Sequence, residues 1–465
     1  MVAMGVVRAC APPAAASLSR EAAAQRKSSR TARVLVLGGT GRVGGSTAAA
    51  LSNLRPDLTI LVGGRNREKG ESLAAKLGEQ SEFVQVDTRN ANMLEKALQG
   101  VDLVVHTAGP FQRAEECTVL QAAISTKLGN QNTIGTLPFS EQTAYIDVCD
   151  DTDYSWRAKG FHEQAKAAGV PAITTAGIYP GVSNGTSFFL LFGTHKFPLM
   201  AAELVHGSRS ENGEPERLRF FYYTAGTGGA GPTILATSFL LLGEDVIAYN
   251  KGISNFFICV PMVFLRETLS HFYLCYQLGE EIKLKPYSGA LGIDFGKGVR
   301  KKNVYLLNLP EVKSAFKILG VPTVSARFGT APVFWNWAMQ AFANFLPAEF
   351  LRDRNKVQKL VESVDPLVRA IDGIAGERVS MRVDLECSNG RNTIGLFTHK
   401  KLSVSVGFAT AAFALAVLEG NTQPGVWFPE EPEGIAMEAR KLLLERASQG
   451  TSNFVMNKWF LFRQP

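Results

Sequence analysis

The chain has 465 residues, of which 46% are hydrophobic and 20% are charged, so it can bury a large core and is long enough for about three domains. This composition excludes a disordered chain, a collagen and a small disulfide-stabilised protein. Residues 1–33 contribute +5 of the net charge of +7, from six Lys or Arg and one Glu, so nucleic-acid binding through overall surface charge is not expected.

The N-terminal segment, residues 1–32, is predicted to be a disordered transit peptide. It is rich in Ala, Ser and Arg, contains one acidic residue and lacks the continuous apolar core of a secretory signal. Its serines and prolines favour a chloroplast over a mitochondrion, and a plain disordered tail is the alternative. No stretch reaches the roughly 18 to 20 uninterrupted apolar residues of a spanning helix, so no transmembrane segment is predicted.

Residues 33–195 alternate short apolar runs with amphipathic ones. Strands are predicted at 34–37, 58–62, 82–86, 102–106, 144–148 and 171–175, and helices at 42–53, 66–77, 90–98, 113–126 and 155–168. Because strands that alternate with helices form parallel sheets, this pattern predicts an α/β fold with a doubly wound Rossmann domain.

The rhythm changes after residue 195. Strands predicted at 217–224, 281–287, 303–309, 379–386 and 401–407 indicate a second, α+β substrate domain over residues 196–407 with a mainly antiparallel sheet. Helical patterns at 355–372, 409–419 and 433–449 close the chain. Residues 408–465 are predicted to be C-terminal helices, for which packing back on the Rossmann domain is one arrangement.

Two segments do not fit this organisation and are interpreted as insertions. Residues 128–142 are rich in Gly, Asn, Gln and Thr, where a connection of a few residues is usual. Residues 253–279 hold six Phe or Tyr and two of the six cysteines. Both are expected to be lineage-specific or mis-spliced, and a hydrophobic lid or a peripheral membrane-touching loop is the functional alternative for 253–279.

A glycine-rich loop directly after the first strand is the strongest motif. Its glycines, Gly39, Gly41 and Gly44, have the G-x-G-x-x-G spacing of a dinucleotide-binding turn before a helix. They would permit the tight turn, the approach of a pyrophosphate and close helix packing, while the helix start binds the anion. The predicted cofactor contacts are therefore Gly39, Thr40, Gly41, Arg42, Val43 and Gly44; a glycine-rich turn without a ligand is the alternative.

The end of the second strand favours NADP over NAD. Arg65 and Asn66 follow this strand, and no acidic residue precedes Glu68 to accept from the ribose hydroxyls. An Arg at this position suits the 2′-phosphate of NADP, and a solvated Arg is the alternative. Asp87, after the third strand, is predicted either to accept from the adenine amino group or to cap the next helix.

Small residues follow the fourth strand, where ligands of open α/β sheets bind. Ala108, Gly109 and Pro110 are expected to lie along the ribose and nicotinamide. Gly181, with Asn184 close behind it, resembles a helix start that faces the nicotinamide.

Four stretches carry a family resemblance: the loop GGTGRVGG from residue 38, AGPF from 108, YIDVCD from 145 and AGIYPGVSN from 176, with a weaker similarity at 224–233. Together they resemble the saccharopine dehydrogenase-like oxidoreductases, in particular a plant or plastid-like member of the reductase type with an N-terminal NADP-binding domain. The resemblance implies two domains, an interdomain cleft and hydride transfer with a nicotinamide cofactor. It does not specify the substrate.

The acid–base chemistry is less well defined. Tyr145, Asp147, Asp150 and Tyr179 lie near predicted strand ends and are weak candidates for the proton donor, although each is also explained by packing or helix capping. The cysteines and histidines show no metal-ligand spacing, so no metal is predicted. The expected function is an NADP-dependent oxidoreductase with a small-molecule substrate. A non-catalytic nucleotide-binding or membrane-associated scaffold or sensor is the alternative, and the oligomeric state stays open.

Overall fold

The computed structural model describes residues 31–128, 143–183, 200–210, 213–227, 232–251 and 279–459. Asn184 lies outside the described residues, as do residues 1–30 of the predicted transit peptide and nearly all of the two predicted insertions. Among the described residues, no helix is both long and apolar enough to cross a membrane.

Within the described ranges, the first sheet has seven parallel strands. They are β1 (Arg33–Leu37), β2 (Thr59–Gly64), β3 (Ser81–Gln85), β4 (Leu103–His106), β5 (Ala144–Asp147), β6 (Pro171–Ile173) and β15 (Gly425–Trp427). Their order in the sheet is β15-β6-β5-β4-β1-β2-β3. Strand β1, which lies inside the sheet, is apolar and buried from Val34 to Leu37 because both faces of the sheet are covered. Since β2 and β4 flank β1, the strand order reverses there and a crevice opens at the carboxyl ends of these strands.

The helices that connect these strands follow the predicted rhythm. They are α1 (Arg42–Leu54), α2 (Arg67–Leu77), α3 (Ala91–Leu98), α4 (Thr118–Leu128), α5 (Thr152–Lys159) and α6 (His162–Ala168). The prediction of a single helix over 155–168 is wrong. Helix α5 is followed by its C-cap, Gly160, and helix α6 starts after its own N-cap, Phe161. The predicted Rossmann domain is otherwise confirmed in type and order.

The second sheet has nine strands among the described residues and is mostly antiparallel, as predicted. Its strands are β7 (Pro215–Ala225), β8 (Val246–Asn250), β9 (Glu280–Leu284), β10 (Leu291–Asp294), β11 (Lys301–Leu306), β12 (Thr323–Ala331), β13 (Arg378–Cys387), β14 (Asn392–His399) and β16 (Thr451–Trp459). The main order is β10-β11-β12-β7-β13-β14-β16, in which only β7 and β12 run parallel, and β8 pairs with β12 and β9.

The second sheet is buried in two cores, with β7 residues Leu218, Phe220 and Tyr222 in the main one and Phe221 and Tyr223 in a smaller one. The helices of this second part are α7 (Met200–Ser210), α8 (Pro232–Leu242), α9 (Pro310–Lys317), α10 (Val333–Phe345), α11 (Ala348–Arg352), α12 (Arg354–Ala375), α13 (Leu402–Leu418) and α14 (Met437–Ala447).

The strand predicted over 401–407 is wrong, since these residues begin helix α13. The residues of α13 are nearly all apolar or small, and most are buried, so their pattern does not distinguish a strand from a helix. The C-terminal region 408–465 is also more than helices, because β15 joins the first sheet and β16 joins the second. Helix α13 packs on α1, where a Cβ atom at Gly407 would lie 2.6 Å from the backbone of Ser46.

The flanks of residues 253–279 are close together in the described structure. Strands β8 and β9 pair directly, with Asn250 opposite Glu280. The chain therefore leaves and re-enters the sheet at neighbouring positions, which is the arrangement expected at a hairpin end where a sheet accepts additional residues.

A buried carboxyl group joins the two parts of the molecule. Glu311, in the first turn of α9, accepts hydrogen bonds from Tyr222 Oη at 2.8 Å and from Ser183 Oγ at 3.4 Å. Ser183 follows the first sheet and Tyr222 belongs to the second. Burial raises the pKa of Glu311 to about 7, with a further increase from Glu430.

Replacing Glu311 with Gln should increase the free energy of unfolding relative to the wild type, and this increase should be up to about 3 kcal/mol larger at pH 8 than at pH 4. The native state binds the Glu311 proton more tightly than the unfolded state, so wild-type stability falls as pH rises from the unfolded pKa, about 4.5, to the folded pKa of about 7. Urea unfolding of both proteins across this range measures the difference. The exposed Glu349 provides the control, because Glu349→Gln should leave the pH dependence unchanged.

Candidate functional site

A cavity of about 960 Å³ opens at the carboxyl ends of the parallel strands and extends to the second sheet domain. Its volume is at the upper end of the range for small-molecule and cofactor sites. It is lined by residues 37–38, 40–44, 64–65, 86–89, 106–111, 113–116, 118, 148, 150, 154, 177–180, 234, 237, 354, 402 and 406. The cavity thus unites the glycine loop, the ends of four strands and helices of the second domain.

The glycine loop is folded as tightly as its sequence implies, although the left-handed residue is Gly38, with φ of 79°, rather than Gly39. A Cβ atom at Gly38 would lie 2.9 Å from the backbone of Ala108. Gly39 packs beneath the loop, and its N–H donates to Gly63 O at 2.9 Å. The close packing predicted for Gly44 is confirmed, because a Cβ atom there would overlap Gly38 O and lie 2.6 Å from Thr107 Oγ1.

The start of α1 faces the cavity and fits an anion. Its N-cap residue, Gly41, supplies no side-chain hydrogen bond, and Gly41, Arg42 and Val43 line the cavity. Helix N-termini present N–H groups and a partial positive charge to phosphates. The predicted contacts of Thr40, Gly41, Arg42, Val43 and Gly44 therefore share one wall, whereas Gly39 lies beneath it.

Arg65 also lines the cavity, at the end of β2. Its guanidinium forms no hydrogen bond or ion pair with the described part of the chain, whereas Arg67 is held by Glu71 at 3.1 Å and by Gln85 at 3.3 Å. Asn66 does not line the cavity; its side chain caps α2 by accepting from Lys69 N at 2.9 Å. The structure therefore gives Asn66 a capping role in place of the predicted cofactor contact.

Asp87 lines the cavity beside Arg65, and the capping alternative for it is wrong. Helix α3 is capped instead by Asn90, whose side chain accepts from Met93 N at 3.1 Å. The carboxylate of Asp87 accepts two hydrogen bonds from the Arg89 guanidinium, at 2.7 and 3.1 Å. Hydrogen bonds from Arg89 lower the pKa of Asp87 to about 2.

The loop after β4 forms the cavity wall predicted for the ribose and nicotinamide, with Ala108, Gly109 and Pro110 on its surface. Burial lowers the pKa of His106, which precedes this loop, to about 4, so its ring is neutral at pH 7. Gly181 is not part of the lining. It has φ of 130° and closes the turn of residues 177–180, which face the cavity in its place.

Two of the four weak candidates for the proton donor are separated from the cavity. Tyr145 and Asp147 are fully buried within β5, and Tyr145 Oη donates to Asp147 Oδ2 at 2.9 Å. Asp147 also accepts from Thr174 Oγ1 at 3.1 Å and from Thr175 N at 2.8 Å. Burial raises the pKa of Asp147 and of Tyr145. These side chains hold β5 and β6 together and do not reach a ligand in the cavity.

The other two, Asp150 and Tyr179, line the cavity. Burial raises the pKa of Asp150 to about 6, although a hydrogen bond from Gln112 Nε2 at 2.7 Å opposes this effect. Tyr179 stacks on Tyr222 with ring centroids 4.6 Å apart, and its buried hydroxyl has no hydrogen-bond partner among the described residues. Burial, together with the charge of Asp150, raises the pKa of Tyr179. Asp150 is therefore the better acid near neutral pH.

The sequence reasoning missed several residues at the cavity or directly behind its wall. Gln112 lies in the loop after the fourth strand, and Arg113 lies at the start of the helix predicted over 113–126, which begins only at Thr118; neither residue carries a motif. Thr237 and Arg354 come from helices α8 and α12 of the second domain. The apolar pattern of α8 predicted its helix but not which face meets the first domain. Among the described residues, no group of three or more His, Cys, Asp or Glu is arranged to hold a metal ion.

The comparisons with known proteins agree with this geometry. Residues 34–173, which are 140 of the 465 residues, match the family model of the saccharopine dehydrogenase NADP binding domain. Prestalk A differentiation protein A of Dictyostelium discoideum is 35% identical over 83 residues, which are 18% of this chain and only 27% of that protein.

A solved structure has the same overall fold. It is an apo histidine-tagged saccharopine dehydrogenase (L-Glu forming) from Saccharomyces cerevisiae, with a TM-score of 0.59 and 14% sequence identity over 92% of this chain and 100% of that one. Residues 34–173 are thus similar to an NADP-binding domain of this type, and the two-sheet arrangement continues through the second domain. None of these three comparisons bears on a plant or plastid origin.

Proposed function

We propose that this protein is an NADP-dependent oxidoreductase that transfers hydride between a nicotinamide cofactor and a small organic substrate. The observation that carries this proposal is the position of Asp150, an acid with a pKa of about 6, in the same cavity as the glycine loop. Hydride transfer to a carbonyl, imine or alkene usually needs a proton donor near the reacting atoms.

The residues of the cavity fit a dinucleotide phosphate. The loop at Gly38 and Gly44 has no room for a Cβ atom, and the uncapped start of α1 offers N–H groups to a pyrophosphate. At the end of β2, Arg65 suits the 2′-phosphate, and Asp87 beside it remains the proposed acceptor for the adenine amino group. Ala108, Gly109 and Pro110 would support the ribose and nicotinamide.

When bound, the nicotinamide ring supplies or receives the hydride. The residues of this chain position the reactants and move the proton. Asp150 Oδ1 is held by Gln112, and the carboxyl group donates a proton to the substrate in the reductive direction or accepts one in the oxidative direction. Tyr179, Thr237 and Ile234 bound the side of the cavity that faces the second domain, where we place the substrate.

Replacing Arg65 with Ala should weaken NADPH binding by about tenfold to a hundredfold, because charge-assisted hydrogen bonds to the 2′-phosphate are lost. The affinity for NADH, which lacks that phosphate, should be unchanged. Calorimetric titration of the chain without residues 1–32 measures both. The matched control is Arg67→Ala, which removes a cation held by Glu71. Equal loss of both cofactors in Arg65→Ala would contradict the phosphate role.

The same titration separates the proposal from its alternative. Binding of NADPH followed by its oxidation in the presence of one compound from a panel of carbonyls and imines supports the enzyme. Tight NADPH binding without oxidation supports a non-catalytic nucleotide-binding or sensing protein. If neither NADPH nor NADH binds, the glycine loop has only a structural role.

We further propose that the protein is imported into plastids through residues 1–32. The composition of this segment supports the proposal: many Ala, Ser and Arg with one acidic residue. A fusion of residues 1–32 to a fluorescent protein, expressed in plant cells, should accumulate in chloroplasts. Accumulation in mitochondria would support the alternative destination.

A further inference from the structure

The loop between β4 and α4 is fastened to the second domain at three points. Pro110 O accepts from Arg354 Nη2 at 3.0 Å, and Arg113 Nη2 lies 3.3 Å from a carboxylate oxygen of Glu244. Between them, Gln112 Oε1 accepts from Thr237 Oγ1 at 3.0 Å. The same loop lines the cavity where the nicotinamide is proposed to lie. A movement of the second domain would therefore displace this wall of the cavity.

The backbone of this loop is held in an unusual conformation. Arg113 has a positive φ of 60°, which is unfavourable for a residue with a Cβ atom. Such a conformation persists only where the surrounding contacts determine it. The partner of Arg113, Glu244, is fixed in turn by Asn308 Nδ2 at 3.0 Å. The contacts with the second domain therefore maintain the loop geometry.

Gln112 connects these contacts to the acid. Its side chain is fully buried, and the two ends of its amide are used in opposite directions. Oε1 accepts from Thr237 of the second domain, while Nε2 donates to Asp150 Oδ1 at 2.7 Å. Because the amide is planar, its two ends turn together, and a displacement of Thr237 changes the hydrogen bond to Asp150.

We propose that Gln112 is a positioning residue that couples the second domain to the proton donor: it holds the carboxyl group of Asp150 in its reactive orientation while Thr237 holds the amide. This inference rests on the proposed function, because it assigns a role to Asp150. It extends that function by making the strength of the acid depend on the contact between the two domains.

The coupling has a measurable electrostatic consequence. A donor to a carboxylate stabilises the charged form and lowers the pKa, whereas burial raises it. Burial and the neighbouring carboxylates Asp151 and Asp147 raise the pKa of Asp150, and the Gln112 amide is the larger of the two hydrogen-bond effects that lower it. Removing this amide should therefore raise the pKa. Removing only the Thr237 hydroxyl lets the amide turn away for part of the time, so the same shift should appear at a smaller size.

The test is a titration of the Asp150 carboxyl group by NMR in the full chain labelled with ¹³C-aspartate, with Asp150→Asn identifying the resonance. Gln112→Met, which keeps the side-chain volume, should raise the pKa by about one unit, and Thr237→Val by less. Thr237→Ser restores the hydroxyl and should return the wild-type titration. The matched controls are Ser238→Ala, whose hydroxyl bonds within α8, and Gln121→Met on the surface of α4.

An unchanged titration in Gln112→Met would overturn the proposal. A shift in Gln112→Met with wild-type behaviour in Thr237→Val would overturn the link to the second domain. Neither reading requires a substrate, and NADPH binding is measured separately by calorimetry. Failure of the proposed function, seen as no NADPH binding or oxidation, is therefore distinguishable from failure of the coupling.

Discussion

Replacement of Asp150 by Asn is expected to lower the rate of NADPH-dependent reduction by about 10² to 10⁴-fold, the usual effect of removing a general acid. The Asn side chain has nearly the same volume as Asp and can still meet the Gln112 amide, so the cavity should stay intact and NADPH affinity should be unchanged. The rate is measured as NADPH oxidation with a substrate found in the screen, under single-turnover conditions.

The pH dependence of the reduction rate provides a second test of Asp150 as the general acid. A general acid must be protonated, and burial raises the pKa of Asp150 to about 6, so the wild-type rate of reduction should fall about tenfold per pH unit above this value. Asp150→Asn should lack this limb. Asp153→Asn, which changes an exposed carboxylate in the next helix, is the control. If Asp150→Asn keeps the wild-type rate and pH profile, Asp150 is not the general acid. Tyr179 is then the next residue to test for this role.

Replacement of Gly44 by Ala is expected to destabilise the first domain by about 1–3 kcal/mol and to abolish measurable NADPH binding. The added methyl group would overlap Gly38 O and lie 2.6 Å from Thr107 Oγ1, so α1 must move away from the loop that approaches the pyrophosphate. Thermal unfolding and calorimetric titration measure the two effects.

The neighbouring glycine provides a matched control for this experiment. A Cβ atom at Gly45 would lie 3.3 Å from Gly39 O and 3.4 Å from Leu73 Cδ2, which small movements accommodate. Since Ala favours a helix over Gly by about 1 kcal/mol, Gly45→Ala should be neutral or stabilising and should keep NADPH binding. Similar losses in both variants would show that the close contact at Gly44 does not control the cofactor loop.

The sequence by itself determined the first domain well, because its signals are local. The parallel strands inside the sheet are short runs that are mostly apolar and buried on both faces, and most are followed by a helix within a few residues. The glycine spacing and Arg65 likewise lie within one β-strand–helix–β-strand unit, so their order along the chain was enough to place them on one cavity wall.

The tertiary structure decided which polar residues face that cavity. Tyr145, Asp147 and Asp150 lie within six positions of each other, yet the first two point into the core and only Asp150 reaches the cavity, because it follows the end of the strand. Gln112 obtains its role from Thr237, 125 residues away, and Pro110 accepts from Arg354, 244 residues away. No local pattern encodes such contacts.

In the C-terminal region, too, contacts between distant segments decided elements of the fold that local sequence patterns did not reveal. Helix α13 is apolar or small-residue on all sides, so its residues predicted a helix only over 409–419, gave a strand over 401–407 and did not identify its partner α1. Strand β15 has three residues and belongs to the first sheet only because β6 offers it a free edge. Local sequence thus determined most elements of the first domain and the cofactor loop, while packing between distant segments decided the C-terminal elements, the acid, its positioning residue and the enclosure of the cavity.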